Sequence, residues 1–285
     1  MKKEEIKQAV KEGYAKIARE NGSCYVPVNP CCGGTTELAT HIGKNIGYTV
    51  NELQAVPEDA NLGLGCGNPV ALASLQEGET VIDLGSGAGF DCFLAAQRVG
   101  ESGRVIGVDM TPAMIQKAKE NAIKGNYHNI EFRLGEIENL PVADNSADII
   151  ISNCVINLSP EKERVFQEAF RVLKPGGRMM VSDIVLLKEL PDFMKNSVEG
   201  YIGCLSGAIM KEEYLGFIRA AGFQEVTILE ETPFPIEYME NDPTAKAVLG
   251  NLKIPPEKIN EIGSSVSSIK IYAVKPNDAG KVLMK

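Results

Sequence analysis

Two sets of residues concentrate the chemistry of this chain. The first is the run VIDLGSGAGFD, Val81 to Asp91, in which Gly85, Gly87 and Gly89 alternate with other residues and Asp83 precedes them. Glycines there let the backbone turn sharply and approach a ligand closely. A second acid, Asp109, closes VIGVD 26 residues after Asp83, where a strand-terminal carboxylate can accept both hydroxyls of a ribose. A dinucleotide fingerprint spaces its glycines G-x-G-x-x-G, and Phe90 stands where the third would fall, which argues against a nicotinamide cofactor.

The second set is the cysteines: Cys24, Cys31, Cys32, Cys66, Cys92, Cys154 and Cys204. Seven is odd and the chain is neither short nor led by a secretory signal, so reduced, metal-binding or reactive thiols are expected rather than a disulfide framework. A cysteine alone often behaves as a small hydrophobe; Cys92 reads as packing on the sheet and Cys24 as incidental. Cys154 in SNCVINL, Cys66 in NLGLGCGNP and Cys204 in YIGCLSGAI are different, because their positions all lead to one rim of the fold read below. His41 and His128 lie away from these motifs and read as surface or capping residues, so no side-chain base is evident.

The elements that must position these residues follow a βαβ pattern. Short β-branched runs predict strands at Thr80 to Leu84, Arg104 to Asp109, Ile130 to Leu134, Ala147 to Ser152 and Gly177 to Asp183. Amphipathic segments predict helices at Gly89 to Val99, at Thr111 to Lys124 and at Ser159 to Leu173, the last two opened by Thr-Pro and Ser-Pro. Further on come a partly helical stretch from Leu187 to Met210, a helix at Lys211 to Ala221, and strands at Glu225 to Glu230 and Ile269 to Lys275. Ahead of them, Ile6, Val10, Tyr14 and Ile17 space a helix over 4 to 20. Asn21 to Pro69 reads as loops with one short helix near Asn51 to Gln54. The expected fold is therefore α/β, a mostly parallel Rossmann-like sheet with helices on both faces. Its expected parts are a Cys-rich N-terminal appendage (1–70), a core (71–230) and a C-terminal embellishment (231–285). Asn153 and Cys154 then leave the fourth strand at the carboxyl edge, where open α/β sheets bind ligands.

Bulk composition narrows the partners. The chain has 285 residues, 44% of them hydrophobic, and Lys+Arg 29 against Asp+Glu 38 gives a net charge of −9. No basic run could track a phosphate backbone, so nucleic acid is not expected. No segment approaches the roughly 18 apolar residues of a membrane span, and the charged start lacks a signal core, so a cytoplasmic protein without membrane partners is expected.

The glycine loop with its strand-terminal acid resembles the first two motifs of class I S-adenosylmethionine methyltransferases. Gly135 to Pro141 resembles the loop that flanks the adenine, and LKPGGRMMVSD, Leu173 to Asp183, resembles the turn into the fifth strand. The resemblance implies that S-adenosylmethionine is held by Asp83, Gly85, Ser86, Gly87, Gly89, Asp109, Met110, Glu136, Ile137 and Asn153, with Asp83 near its amino-acid end. With the GCG loop, SNCVINL, the N-terminal Cys-Cys and a cysteine 50 residues after Cys154, the chain is more narrowly similar to the arsenite S-adenosylmethionine methyltransferases. That implies Cys66, Cys154 and Cys204 as ligands of As(III), with Cys31 or Cys32 as a fourth site thiol. Arsenic is then the substrate, and no metal cofactor is expected.

The chemistry agrees with this resemblance. Three thiolates satisfy As(III) as a pyramid and leave its lone pair as the nucleophile, so no side-chain base is required. Methyl transfer formally oxidises arsenic. The family implies that cysteine pairs return the electrons as a disulfide, reopened by a thioredoxin-type or small-thiol reductant. Adjacent Cys31 and Cys32 do not readily bridge to each other, so one of them would bridge elsewhere, plausibly to Cys66. Two rivals are a methyltransferase for a small organic acceptor, such as a quinone or lipid precursor, and a thiolate zinc or redox-sensor protein. Against the latter, closed zinc sites use C-x₂₋₄-C pairs, and the only close pair here is adjacent.

Overall fold

The computed structural model describes residues 2–19, 34–190, 207–233 and 263–277. Its frame is a seven-stranded sheet: β1 (Thr80–Leu84), β2 (Arg104–Asp109), β3 (Ile130–Leu134), β4 (Ala147–Asn153), β5 (Leu173–Leu186), β6 (Gln224–Pro233) and β7 (Val266–Val274). The spatial order is β3-β2-β1-β4-β5-β7-β6, parallel from β3 to β5, with β7 antiparallel to both β5 and β6. The central strands read as near-continuous apolar runs, VIDL in β1 and DIIIS in β4, because helices cover both faces. One apolar cluster packs Ile82, Ile150, Phe166 and Tyr214 on one side of the sheet; the other packs Val81, Phe93, Ile149 and Met180 on the opposite side.

The helices are α1 (Lys3–Arg19), α2 (Gly34–Asn45), α3 (Val50–Gln54), α4 (Pro69–Leu72), α5 (Phe90–Val99), α6 (Pro112–Lys124), α7 (Lys162–Val172) and α8 (Lys211–Ala220), with 3₁₀ turns at Glu58–Ala60 and Ile156–Leu158. The stretch expected to be loops with one short helix also holds α2 and a 3₁₀ turn, and α4 begins at its last residue, Pro69. The spacing gave no cue to α2 because GTTELATHIGKN mixes glycine and threonine with few apolar residues. The helix expected from Ser159 starts three residues later, after its cap Glu161. Ser159 instead closes a turn, its Oγ accepting the Glu161 N–H at 3.0 Å and donating to Glu138 at 2.6 Å. β5 is longer than expected at both ends: Leu173 pairs with Ala147 of β4, and at the other end β5 and an earlier-starting β7 pair over nine residues, Arg178 with Val274 through to Leu186 with Val266. Most of the expected partly helical stretch from Leu187 to Met210 lies outside the described residues.

Chain order reverses between β1 and β4. β2 and β3 lie to one side, β4 and β5 to the other, and Leu84 pairs in register with Ser152. Gly85 and Asn153 therefore leave the sheet side by side, at the crevice where doubly wound sheets bind ligands.

Candidate functional site

The crevice is a cavity walled by the glycine loop, the strand ends and an N-terminal lid. Asp83, Gly85 to Ala88, Asp109, Met110, Ile137, Asn153 and Cys154 line it, Leu62 to Cys66 form one wall, and Lys7, Val10 and Tyr14 of α1 cover it. α1 is seated by burial of Ile6, Val10 and Ile17 and by ion pairs from Lys7 to Glu136 at 2.8 Å and to Glu138 at 3.3 Å.

All three glycines of the loop have left-handed backbone, and two of them line the cavity. Gly85 has φ +67°, and a Cβ there would lie 2.2 Å from Val155. Gly87 has φ +52°, and its missing Cβ would face open space on the cavity side, so the backbone is bare where a ligand approaches. Asp109 props this loop: its Oδ2 accepts the Gly87 N–H at 3.0 Å and its Oδ1 the Thr111 N–H at 2.7 Å. Burial raises its carboxyl above the ordinary value despite those donors. Asp83 is 3% exposed. Burial first, and then the neighbouring Asp91 charge, push its carboxyl well up, while the Cys92 thiol donates to it at 3.2 Å. Cys92, read as packing, is fully buried beneath the loop.

The thiol half of the site is built from two separate segments. Cys154 follows β4 with φ +58°, a left-handed conformation that L side chains adopt at a cost of order 1 to 3 kcal/mol. Its N–H donates to Ser182 O at 2.8 Å, which holds the bend against β5. Cys66 sits between Gly65 and Gly67 on a loop pressed against the same strand ends. A Cβ on Gly67 would fall 1.9 Å from Ser182 Oγ, and one on Gly65 2.8 Å from the Asn153 carboxamide. The Cys66 and Cys154 sulfurs and an Asp183 carboxylate oxygen all lie within 4.8 Å of one another.

Asp183 escaped the sequence reading, which found no acid beside the thiols. Its only signal was its place at the end of MVSD, on the strand adjoining Cys154. Four donors hold it: Asn157 N at 3.2 Å, Asn157 Nδ2 at 2.8 Å, Ile184 N at 2.9 Å and Tyr214 OH at 2.9 Å. Burial outweighs them and lifts the carboxyl from 3.8 to about 6. The native state therefore binds this proton more tightly than the unfolded chain. The resulting stabilisation is full below about pH 4 and lost as pH rises through 6, a change of ~3 kcal/mol for this shift. Unfolding free energies measured from pH 4 to 7 are expected to decline less steeply for Asp183→Asn than for the wild type; parallel slopes would show that Asp183 is not the group responsible.

Tyr48 and Asp91 were likewise not foreseen. The Tyr48 hydroxyl donates to Asp91 at 2.6 Å, and the Asn153 carboxamide donates to both of them. Burial lifts the Asp91 carboxyl to about 6, with the Tyr48 and Asn153 donors opposing it.

Of the expected residues, Asp83, Gly85, Ser86, Gly87, Asp109, Met110, Ile137, Asn153, Cys66 and Cys154 are on the cavity wall. Gly89 is not. It caps α5 with φ +94°, shaping the loop from behind. Glu136 points to the surface and pairs with Lys7, whereas Glu138 reaches the cavity. Cys24, Cys31, Cys32 and Cys204 fall outside the described residues, and His41 and His128 are exposed. No helix among the described residues is long and apolar enough to cross a membrane.

Comparison with known proteins gives concordant matches. Residues 75–222 match the family described as a methyltransferase domain. An arsenite methyltransferase of Halobacterium salinarum is 49% identical over 232 residues, which is 79% of this chain and 59% of that protein. The human arsenite methyltransferase is 34% identical over 232 residues, 77% of this chain and 58% of that one. The chain thus spans less than two thirds of these relatives' length. Among solved structures, an arsenic (III) S-adenosylmethionine methyltransferase from Chlamydomonas reinhardtii superposes with a TM-score of 0.62 at 31% identity, covering 88% of this chain and 76% of that one.

Proposed function

Since the chain belongs to the arsenite methyltransferases, within the methyltransferase-domain family, we propose that it transfers methyl groups from S-adenosylmethionine to trivalent arsenic bound by its own thiols. The observation that carries this reading is the meeting of the Cys66 and Cys154 sulfurs, within 4.8 Å of each other and of Asp183, on the wall of the glycine-loop cavity.

The cavity's residues suit the methyl donor. Gly87 leaves open space on the cavity side, and the Ser86 Oγ, buried at the loop, has no partner among the described residues. Asp109 would take the ribose hydroxyls, Asp83 would lie toward the amino-acid end, and Ile137 and Met110 offer apolar flanks for the base. When bound, S-adenosylmethionine supplies an electrophilic methyl on a sulfonium.

The chain's part is to present arsenic. Soft thiolates suit a thiophilic centre, and Cys204, by its place in the sequence, is the third ligand. Each thiol proton would leave with an arsenite hydroxyl as water as an As–S bond replaces As–O, and the lone pair kept on arsenic would form the As–C bond at the expense of the donor's methyl–sulfur bond. No side-chain base acts on the nucleophile. Holding one thiol at a strand end and the other on a loop packed against it converts capture and transfer into local events, which is where proximity accelerates most. The transfer raises arsenic by two electrons formally. A thioredoxin-type or small-thiol reductant returns them, by way of a protein disulfide that includes Cys31 or Cys32. A cytoplasmic setting keeps such thiols reduced.

The direct test incubates the reduced protein with methyl-labelled S-adenosylmethionine, arsenite and a thiol. Labelled methylated arsenic is expected. Its absence, with S-adenosylhomocysteine still bound, would transfer the site to another acceptor.

A further inference from the structure

We propose that Asn153 is a positioning residue that fixes the spacing of the two thiols before any substrate arrives; this rests on the reading of Cys66 and Cys154 as substrate ligands. The residue adjoins Cys154, yet its side chain turns to the other cysteine. Asn153 Oδ1 accepts the Cys66 N–H at 3.0 Å, and Asn153 Nδ2 donates to Gly67 O at 2.8 Å. A backbone donor on one side and a backbone acceptor on the other fix which way the carboxamide faces. Behind it, Tyr48 OH at 2.9 Å and Asp91 Oδ2 at 3.2 Å hold the same Nδ2, and Tyr48 OH donates onward to Asp91 at 2.6 Å. One side chain thus ties a loop to a strand end 87 positions away.

Close packing supports the clamp. Gly65 is tight against the carboxamide and Gly67 against Ser182, so the loop fits only without side chains at those places. The Cys66 carbonyl is also caught, by Ser268 Oγ at 3.0 Å. Both polar groups of the Cys66 backbone are therefore engaged, and the thiol is carried on a fixed arm. An amide nitrogen has two hydrogens, and three acceptors already surround this one, so little capacity is left for a cofactor contact. The benefit is preorganisation: a ligand that needs two thiols binds more tightly when the loop is already ordered.

The test compares reduced wild-type chain with Asn153→Ala and Tyr48→Phe. Dibromobimane, which bridges neighbouring thiols, reports Cys66–Cys154 spacing without arsenic, the bridged peptides being mapped by mass spectrometry; arsenite titration and S-adenosylhomocysteine affinity run in parallel. Bridging and arsenite affinity should both fall about tenfold in Asn153→Ala and by a smaller factor in Tyr48→Phe, with S-adenosylhomocysteine affinity within about twofold of wild type. Unchanged bridging in Asn153→Ala, or a loss confined to S-adenosylhomocysteine, overturns the clamp and makes Asn153 a cofactor contact. Should Asn153→Ala fail to fold, Tyr48→Phe, which keeps the ring, decides by the same two readouts. If the wild type binds no arsenite while bridging still depends on Asn153, the substrate reading falls and the clamp stands.

Discussion

Cys154→Ser is expected to lower arsenite methylation by about a thousandfold or more, the equivalent of ~4 kcal/mol of lost interaction. Serine is nearly the same size, so the bend after β4 and the N–H bond to Ser182 O can persist. What changes is the donor atom, because a hydroxyl is hard and stays protonated where a thiol ionises and binds a soft centre. The substitution therefore separates chemistry from architecture. S-adenosylhomocysteine should still bind by titration calorimetry, and labelled methyl transfer should vanish. Substantial activity in Cys154→Ser would instead point to the small organic acceptor considered from the sequence.

Asp109→Ala should weaken S-adenosylhomocysteine binding about 10- to 150-fold, corresponding to 1.5–3 kcal/mol for a lost charge-assisted hydrogen bond. Two losses combine. The ribose would lose its carboxylate, and Gly87 and Thr111 would lose the acceptor of their N–H groups at 3.0 and 2.7 Å. Because burial raises this carboxyl, binding should also weaken at a less acidic pH than an exposed aspartate would give. Calorimetry on the variant, and on wild type along a pH series, checks both statements; unchanged affinity would remove Asp109 from the cofactor site.

The parallel part of the sheet was legible because β1, β2 and β4 are apolar runs closed by acids, glycines or asparagine at their carboxyl ends, a pattern set by burial on two faces. α2 carries no such pattern, because GTTELATHIGKN has few apolar residues among its glycines and threonines, and it was missed for that reason. Within the site, residue type announced the thiols and the glycine turn. Asp183, Tyr48 and Asp91 gave no such notice, since their roles arise where a loop or strand meets a helix across long sequence separations, 43 residues for Tyr48 and Asp91 and 31 for Asp183 and Tyr214. The same holds for Asn153. The sequence placed it at the carboxyl edge, but its partner at Cys66 becomes visible only once the loop is folded back.

The position of β7 has a consequence for biosynthesis. Among the described strands it is the last to leave the ribosome, yet it sits inside the sheet, where it is the sole sheet neighbour of β6 and covers nine residues of β5. Until Val266 to Val274 emerge, a nascent chain presents β5 as a bare template and leaves β6 with nothing to pair with, the kind of exposed edge that invites another chain to add itself. Ser268, which braces the Cys66 carbonyl, arrives on the same strand. Completion of the sheet and bracing of the thiol arm thus coincide, and a chain truncated ahead of Val266 is expected to be an adhesive fragment lacking that brace.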